Sequence, residues 1–90
     1  MSLAFETGNL YVTAGVNALV SEDRVDLMQI VARHMNCDWG DVCEEDKQSN
    51  NEALLHDDRL LSSYQLNNET VWIITEADRS ATTILLPSEY

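Results

Sequence analysis

Four side chains that can ligate a transition metal lie between residues 34 and 56. They are His34, Cys37, Cys43 and His56, and two imidazoles with two thiols form the ligand set of many tetrahedral zinc sites. The spacing contains neither a C-x2-C pair nor an H-x3–5-H pair. A continuous helix from Cys43 to His56 would also separate those two residues by roughly 20 Å, at ~1.5 Å per residue. The sequence therefore predicts packing roles for the cysteines, no bound metal or cofactor, and no stoichiometric zinc in the purified protein.

An acidic run is the second group of residues with chemical potential. It consists of Asp38, Asp41, Glu44, Glu45 and Asp46, and residues 36–58 hold eight acidic side chains against one base, Lys47. Such a surface can imitate a phosphate backbone and occupy the basic groove of a nucleic-acid-binding protein. It can equally be the solvated face of a helix. The sequence leaves both interpretations open.

The third group is a polar turn near the C-terminal end of the sequence. Its members are Glu76, Asp78, Arg79, Ser80, Thr82 and Thr83. A tight turn needs one or two polar residues, so six suggest a binding loop or an acid–base site. A structural interpretation stands beside it, in which Asp78 forms an Asx turn, Arg79 bridges Glu76 and the threonines pair across an edge strand. Glycine-rich phosphate loops and the G-x-S-x-G and H-E-x-x-H motifs are absent from the sequence.

The elements that position these residues change in character near residue 58. Before it the period is helical: Thr13 is the expected N-cap of a helix over 14–20, Ser21 that of a helix extending to about residue 36, and a polar third helix spans 41–55. After it the period is two, which predicts strands over 60–66, 70–76 and 81–86. Turns are expected at 67–69 and 77–80, and Trp72 is expected in the central strand, on the side opposite to Val71.

These elements predict a single α+β domain over residues 1–90, with residues 1–9 as a loose N-terminal arm. Two or three N-terminal helices pack on a C-terminal three-stranded antiparallel β-meander. Ninety residues suit one domain, and 44% hydrophobic residues lie in the globular range.

Charge and cysteine content narrow the classes of function. Sixteen acidic residues against five basic ones give a formal net charge of -11, which disfavours direct binding to nucleic acid or to an anionic membrane. A signal peptide and a long apolar run are absent from the sequence, and two cysteines are too few for a disulfide framework. The expected location is the cytoplasm, with both thiols reduced. The sequence leaves open whether the chain is a monomer or a dimer.

Residues 38–90 resemble a family of small "plasmid-related" proteins encoded on bacterial plasmids and integrative elements. The resemblance rests on DWGD at residues 38–41, RLLSSY at 59–64 and WIITEADRSATTILLPSEY at 72–90. It implies a mobile genetic element as the setting and implies no particular activity. Small acidic proteins of such elements often inhibit host defence, and by association the resemblance favours the mimic interpretation.

A second resemblance is to the barnase-type ribonucleases, whose central strands are similar to DRLLSSY at residues 58–64 and WIIT at 72–75. It implies that Arg59 binds phosphate and that Arg79 lies near the position of a catalytic histidine. This sequence has no histidine there, and its net charge has the wrong sign for a ribonuclease. We therefore expect a non-catalytic acidic protein that binds a basic protein partner, and a small nuclease or ligand-binding domain built on the polar turn is the alternative.

Overall fold

The computed structural model describes residues 5–66 and 68–90. The order of elements is β1 (Asn9–Val12), α1 (Ala14–Ser21), α2 (Leu27–Met35), α3 (Glu44–His56), β2 (Leu60–Leu66), β3 (Glu69–Thr75) and β4 (Ala81–Leu85), followed by a 3-10 turn at Pro87–Glu89. The α+β class expected from the sequence is confirmed. The three strands of the meander are also confirmed, because β2 pairs antiparallel with β3 and β3 pairs antiparallel with β4.

The sheet has a fourth strand, which the sequence analysis missed. β1 pairs in parallel with β4, so the sheet is mixed and its order is β1-β4-β3-β2. Residue 9 therefore belongs to a strand and not to a loose arm, and residues 1–4 lie outside the described part of the chain. All four residues of β1 are exposed. Without a buried face, a short strand leaves no alternating pattern in its sequence.

The helices differ from the expectation mainly at their starts. Thr13 caps α1 as expected, with its side chain accepting a hydrogen bond from the Val16 amide. Ser21 is not the N-cap of α2, because α1 continues through it; Asp26 takes that role and accepts from the Gln29 amide. The helix α3 begins at Glu44 and not at Asp41, since Asp41 is bound to strand β2.

The helix-facing side of the sheet carries the main core. Val71 and Ile73 of the central strand β3 are fully buried there, and they belong to one cluster with Val16 of α1 and Ile30 of α2. Trp72 and Ile74 alternate to the opposite side, so the expected facing of β3 is confirmed. A second, smaller cluster joins Trp39, Ala53 and Leu60 beneath α3.

A chain of polar side chains crosses the core between these clusters. His34, Ser62, Thr75 and Thr82 are all fully buried. The Thr82 hydroxyl donates to the Thr7 carbonyl at 2.8 Å and also lies 2.8 Å from the Thr75 hydroxyl. The Thr75 hydroxyl lies 2.9 Å from His34 Nε2, and Ser62 contacts His34 Nδ1.

The direction of these hydrogen bonds follows from the donors available. A threonine hydroxyl has one proton, so Thr82 must accept from Thr75 once its own proton goes to Thr7. Thr75 must then accept from Nε2–H of His34, and Nδ1 accepts from Ser62. Burial lowers the pKa of His34 to about 4, so near pH 7 the imidazole is neutral and in the Nε2–H tautomer, and it ties α2 to β2 and β3.

The two edges of the sheet are protected unequally. Along β2, the Asn50 side chain bonds both the amide and the carbonyl of Leu61, at 3.1 and 2.7 Å. Ser63 bonds Trp39 and Asp41 through its backbone, and the Gln65 amide donates to the Asp41 carboxylate. Among the described residues β1 pairs with β4 alone, and its Leu10 and Tyr11 are 51% and 53% exposed.

The C-terminal turn is fastened to the start of α1 by Glu89. Its carboxylate accepts from the Thr13 hydroxyl, from the Gly15 amide at 3.1 Å and from the Leu86 amide at 3.0 Å. The Thr13 hydroxyl is the main cause that holds the pKa of Glu89 below its usual value. A Cβ on Gly15 would lie 2.7 Å from the Leu86 side chain and 2.8 Å from the Glu89 carboxylate, so a larger residue there would make both side chains shift. The fastening fixes the position from which Tyr90 reaches the sheet.

We predict that His34 makes stability depend on pH. Burial, with a contribution from the charge of Arg79, lowers the pKa of His34 from 6.5 to about 4. Below about pH 6.5 the unfolded chain binds a proton that the folded chain refuses, so stability falls as the pH falls toward 4. Between about pH 7.5 and pH 5 the loss should be about 2 kcal/mol.

Urea unfolding of wild type and His34→Gln at both pH values measures this loss, because the carboxylates contribute equally to both proteins. The difference in the free energy of unfolding between wild type and His34→Gln should be smaller at pH 5 than at pH 7.5. In wild type, NMR signals of the His34 ring should keep their neutral-form positions down to about pH 5. A His34 ring that becomes protonated near pH 6.5 in the folded protein would contradict the prediction.

Candidate functional site

The polar turn between β3 and β4 is held together largely by its own side chains. Asp78 Oδ1 accepts from the Ser80 amide at 3.0 Å and from the Ser80 hydroxyl. This Asx turn is the structural interpretation given by the sequence, and the Ser80 hydroxyl is the main cause that lowers the pKa of Asp78. The backbone closes the turn with a bond from the Arg79 amide to the Glu76 carbonyl.

Arg79 connects this turn to the end of α3. Its guanidinium donates to the Asp58 carbonyl at 2.6 Å and the Ala53 carbonyl at 3.2 Å, and to the carbonyls of Glu76 and Ala77 within the turn. A cation at the C-terminal end of a helix also complements the helix dipole. Arg79 therefore has a structural function that accounts for its donors, and it holds a left-handed backbone with φ of 60°.

The six residues of the turn do not converge on one site. Thr82 points into the core as a member of the His34 hydrogen-bond chain, and the half-buried Thr83 lies on the opposite side of β4. Glu76 contacts Arg59 at 3.9 Å, on the outer side of the turn. These residues are neighbours in the sequence. Successive residues of a β-strand point to opposite faces of the sheet, so their side chains are separated in the structure.

Two members of the acidic run are committed to the fold. Asp38 receives the Arg33 guanidinium at 2.7 and 3.3 Å, and the Gly40 amide at 3.2 Å. The bond from Arg33 is the main cause that lowers the pKa of Asp38. Asp41 caps the edge of β2 through Gln65. These carboxylates shape the loop before α3 and have less freedom to meet a partner.

The other acidic residues cover the outside of α3. Glu44, Glu45 and Asp46 occupy its first turn, where the helix dipole stabilises negative charge. Glu44 contacts Lys47 at 3.5 Å and is still 91% exposed. The helix buries only Asn50 and Ala53, so most of its surface meets solvent. Farther along, Glu52, Asp57 and Asp58 are exposed as well.

The five basic side chains are all engaged within the protein. Arg24 pairs with Glu22 and Glu69, Arg33 with Asp38, Lys47 with Glu44, Arg59 with Glu76, and Arg79 with backbone carbonyls. A phosphate group would have to compete with each of these contacts. Within α3 itself Lys47 is the one basic residue among four carboxylates, while Arg59 and Arg79 lie near its C-terminal end.

The four metal-ligand candidates of the sequence lie in different environments. Both ring nitrogens of His34 bind hydroxyls in the core, and partial burial raises the pKa of the Cys37 thiol. Cys43 is exposed at the N-cap of α3, and His56 lies in its last turn. In the part of the chain that the structure describes, no group of three or more His, Cys, Asp or Glu could hold a metal ion.

Two adjoining grooves lie beside the acidic surface, and the sequence analysis missed them. The apolar groove has a volume of about 250 Å³, lies on the open side of the sheet, and is lined by Arg59, Leu61, Trp72, Ile74 and Tyr90. The polar groove has about 290 Å³, lies between α3 and β2, and is lined by Asp46, Ser49, Asn50, Glu52, Ala53, His56, Asp58, Arg59 and Leu61. The grooves meet at Arg59 and Leu61.

The signal for the apolar groove was present in the sequence. In β3 the residues of both sides are apolar, which is typical of a strand covered on both faces. The helices cover only the side of Val71 and Ile73. The other side, with Trp72 and Ile74, receives Tyr90, whose ring centroid lies 5.8 Å from that of Trp72 at an angle of 69°. Tyr90 is 70% exposed, Ile74 and Leu85 on this side are buried, and Leu61 and Trp72 are only partly covered.

Comparison with known proteins gives no relative from which to transfer a function. No family model, no curated protein and no solved structure matches the chain. Among residues 5–66 and 68–90, no helix combines the length and the apolar character needed to cross a bilayer.

We predict that the two arginines singled out by the nuclease resemblance differ in their effect on stability. Arg79→Met removes the guanidinium donors from four carbonyls, of which those of Asp58 and Ala77 have no other donor among the described residues, and the free energy of unfolding should drop by about 1–3 kcal/mol. Arg59→Met removes an exposed ion pair at 3.9 Å and a contact with the exposed Tyr90 ring, and the change in the free energy of unfolding should stay within about 0.5 kcal/mol. Urea titration of both variants measures the two changes. Equal stabilities of Arg79→Met and wild type would contradict the structural function of Arg79.

Proposed function

We propose that this chain is a non-catalytic binding protein that uses the acidic side of α3 against a basic protein partner. The observation that carries the proposal is the arrangement of charge. Glu44, Glu45 and Asp46 are exposed in the first turn of α3, while all five basic side chains are engaged in internal contacts. The surface therefore presents negative charge over a wide area, which favours encounter with a positively charged partner.

The anchoring of α3 supports the same proposal. A helix that serves only to cover a core usually presents an apolar stripe to it, whereas α3 buries Asn50 and Ala53 alone. Asn50 holds the helix against the edge of β2 through two hydrogen bonds. The helix is thus fixed in place with few apolar residues, and its exposed surface carries Glu44, Glu45, Asp46 and Glu52 among neutral residues.

A partner that normally binds nucleic acid fits this surface best, because its basic groove is already built for closely spaced negative charges. The resemblance to plasmid-encoded proteins supports a bacterial mobile element as the setting. In that setting the chain would act as a nucleic-acid mimic toward a host protein such as a defence factor.

The proposal predicts that retention of partners depends on the charges of α3 and on salt. Immobilised protein should capture a basic or nucleic-acid-binding protein from a bacterial lysate at low ionic strength and release it at high ionic strength. The captured protein, once identified and purified, should bind wild type in solution. The triple variant Glu44→Gln, Glu45→Gln, Asp46→Asn should weaken that binding at least about tenfold.

A second triple variant is the matched control. Glu6→Gln, Glu22→Gln and Asp23→Asn also remove three of the sixteen acidic charges, but they lie before α2. This variant should keep most of the affinity of wild type. Equal weakening by both triples would show an effect of net charge alone, and the absence of any captured basic protein at low salt would refute the proposal.

A further inference from the structure

The apolar groove has the size of a single side chain. Its volume of about 250 Å³ is below the ~300–1,000 Å³ of typical small-molecule pockets. Leu61, Trp72 and Ile74 lie along it with the Tyr90 ring beside them. A large apolar side chain buried against two aromatic rings is the usual form of a strong interface contact.

The charged residues around the apolar groove favour one sign of charge in a bound segment. The adjoining polar groove contributes Asp46, Glu52 and Asp58. Arg59, at the junction, is held by Glu76 at 3.9 Å and lies 5.7 Å over the Tyr90 ring. Three carboxylates therefore line the groove beside a cation that already contacts Glu76. A segment with lysine or arginine next to its apolar residue complements this charge, whereas an acidic segment or a nucleic acid is repelled.

A second copy of the chain is a poor occupant of this surface. Each copy carries a formal net charge of -11, and the same carboxylates would face each other across a symmetric contact. The grooves are therefore matched to a partner of opposite charge.

We propose that the two grooves together bind a partner segment in which a large apolar side chain is flanked by lysine or arginine. The apolar side chain enters the groove of Leu61, Trp72 and Ile74, and the neighbouring cations lie against Asp46, Glu52 and Asp58. This inference rests on the proposed function, since it names the kind of segment that the basic partner presents. The apolar side chain in the groove adds a contact at a defined position to the long-range attraction between the acidic surface and a basic partner.

Three synthetic peptides test the inference. The first has a central tryptophan flanked by lysines, the second a central alanine flanked by lysines, and the third a central tryptophan flanked by glutamates. Calorimetry should show that the first peptide binds about tenfold more tightly than the second, with no binding of the third. NMR shifts on adding the first peptide should centre on Leu61, Trp72 and Ile74.

Variants on the protein side locate the anchor. Tyr90→Ser should remove the roughly tenfold advantage of the tryptophan peptide, while Met28→Ser should keep it, since Met28 is 72% exposed and lies outside both grooves. Arg59→Met should tighten the binding of both lysine peptides, because it removes the cation nearest to theirs. An anionic occupant would respond to Arg59→Met in the opposite direction.

The outcomes separate this inference from the proposed function. Equal affinities for the tryptophan and alanine peptides with lysines would overturn the anchor and leave the charge-driven function standing. Equal binding of the glutamate peptide would overturn the charge preference of the grooves. Shifts at Trp72 that grow with protein concentration alone would identify a second copy as the occupant. Failure of both lysine peptides to bind at low ionic strength would overturn the inference, while the partner binding measured with the α3 variants decides the proposed function independently.

Discussion

The buried hydrogen-bond chain through His34 is the interaction on which the rest of the structure depends. A chain of ninety residues buries a modest core, and here four fully buried polar side chains run through it. Each finds a partner, and within the described residues no buried side-chain nitrogen or oxygen lacks one. These hydrogen bonds join α2 to β2, β3 and β4, and the last of them reaches the Thr7 carbonyl just before β1. By joining α2 to β2 and β3, the neutral imidazole holds the helices against the sheet. The side of the sheet that carries Trp72 and the acidic helix α3 both depend on this packing.

Much of the fold could be predicted because its elements carry strong local patterns. β2 was predicted with its observed bounds, and β3 and β4 within one residue, since β-branched and apolar residues alternate along them between turns of polar residues. β1 was missed because it is held by parallel pairing to β4, a contact distant in sequence. The false start of α2 at Ser21 has a local cause. Ser21 has the chemistry of an N-cap, but Asp23 takes a left-handed backbone with φ of 57° and separates the two helices.

The candidate site was less predictable than the fold, because the same side-chain chemistry can serve a surface or a scaffold. Asp38 and Glu45 look alike in the sequence, yet Asp38 is bound by Arg33 and the Gly40 amide and Glu45 is exposed to solvent. Arg79 looked like a functional residue because its turn is polar, and two of its carbonyl partners, Ala53 and Asp58, are more than twenty residues away. The apolar groove depends on the packing of Tyr90 against Trp72, and the Glu89 contacts with α1 hold the C-terminal turn from which Tyr90 extends. No pattern within one element encodes that contact.

The unequal edges of the sheet limit how the protein can polymerise. Runaway stacking of strands into fibrils needs two free edges on every molecule, one to accept a neighbour and one to offer to the next. Among residues 5–66 and 68–90, the edge of β2 is closed by Asn50, Trp39 and Asp41, which leaves the side of β1 to receive another strand. Strand pairing between native molecules would stop at two copies, whatever the concentration. Fibril growth would first require α3 and the loop before it to detach from β2.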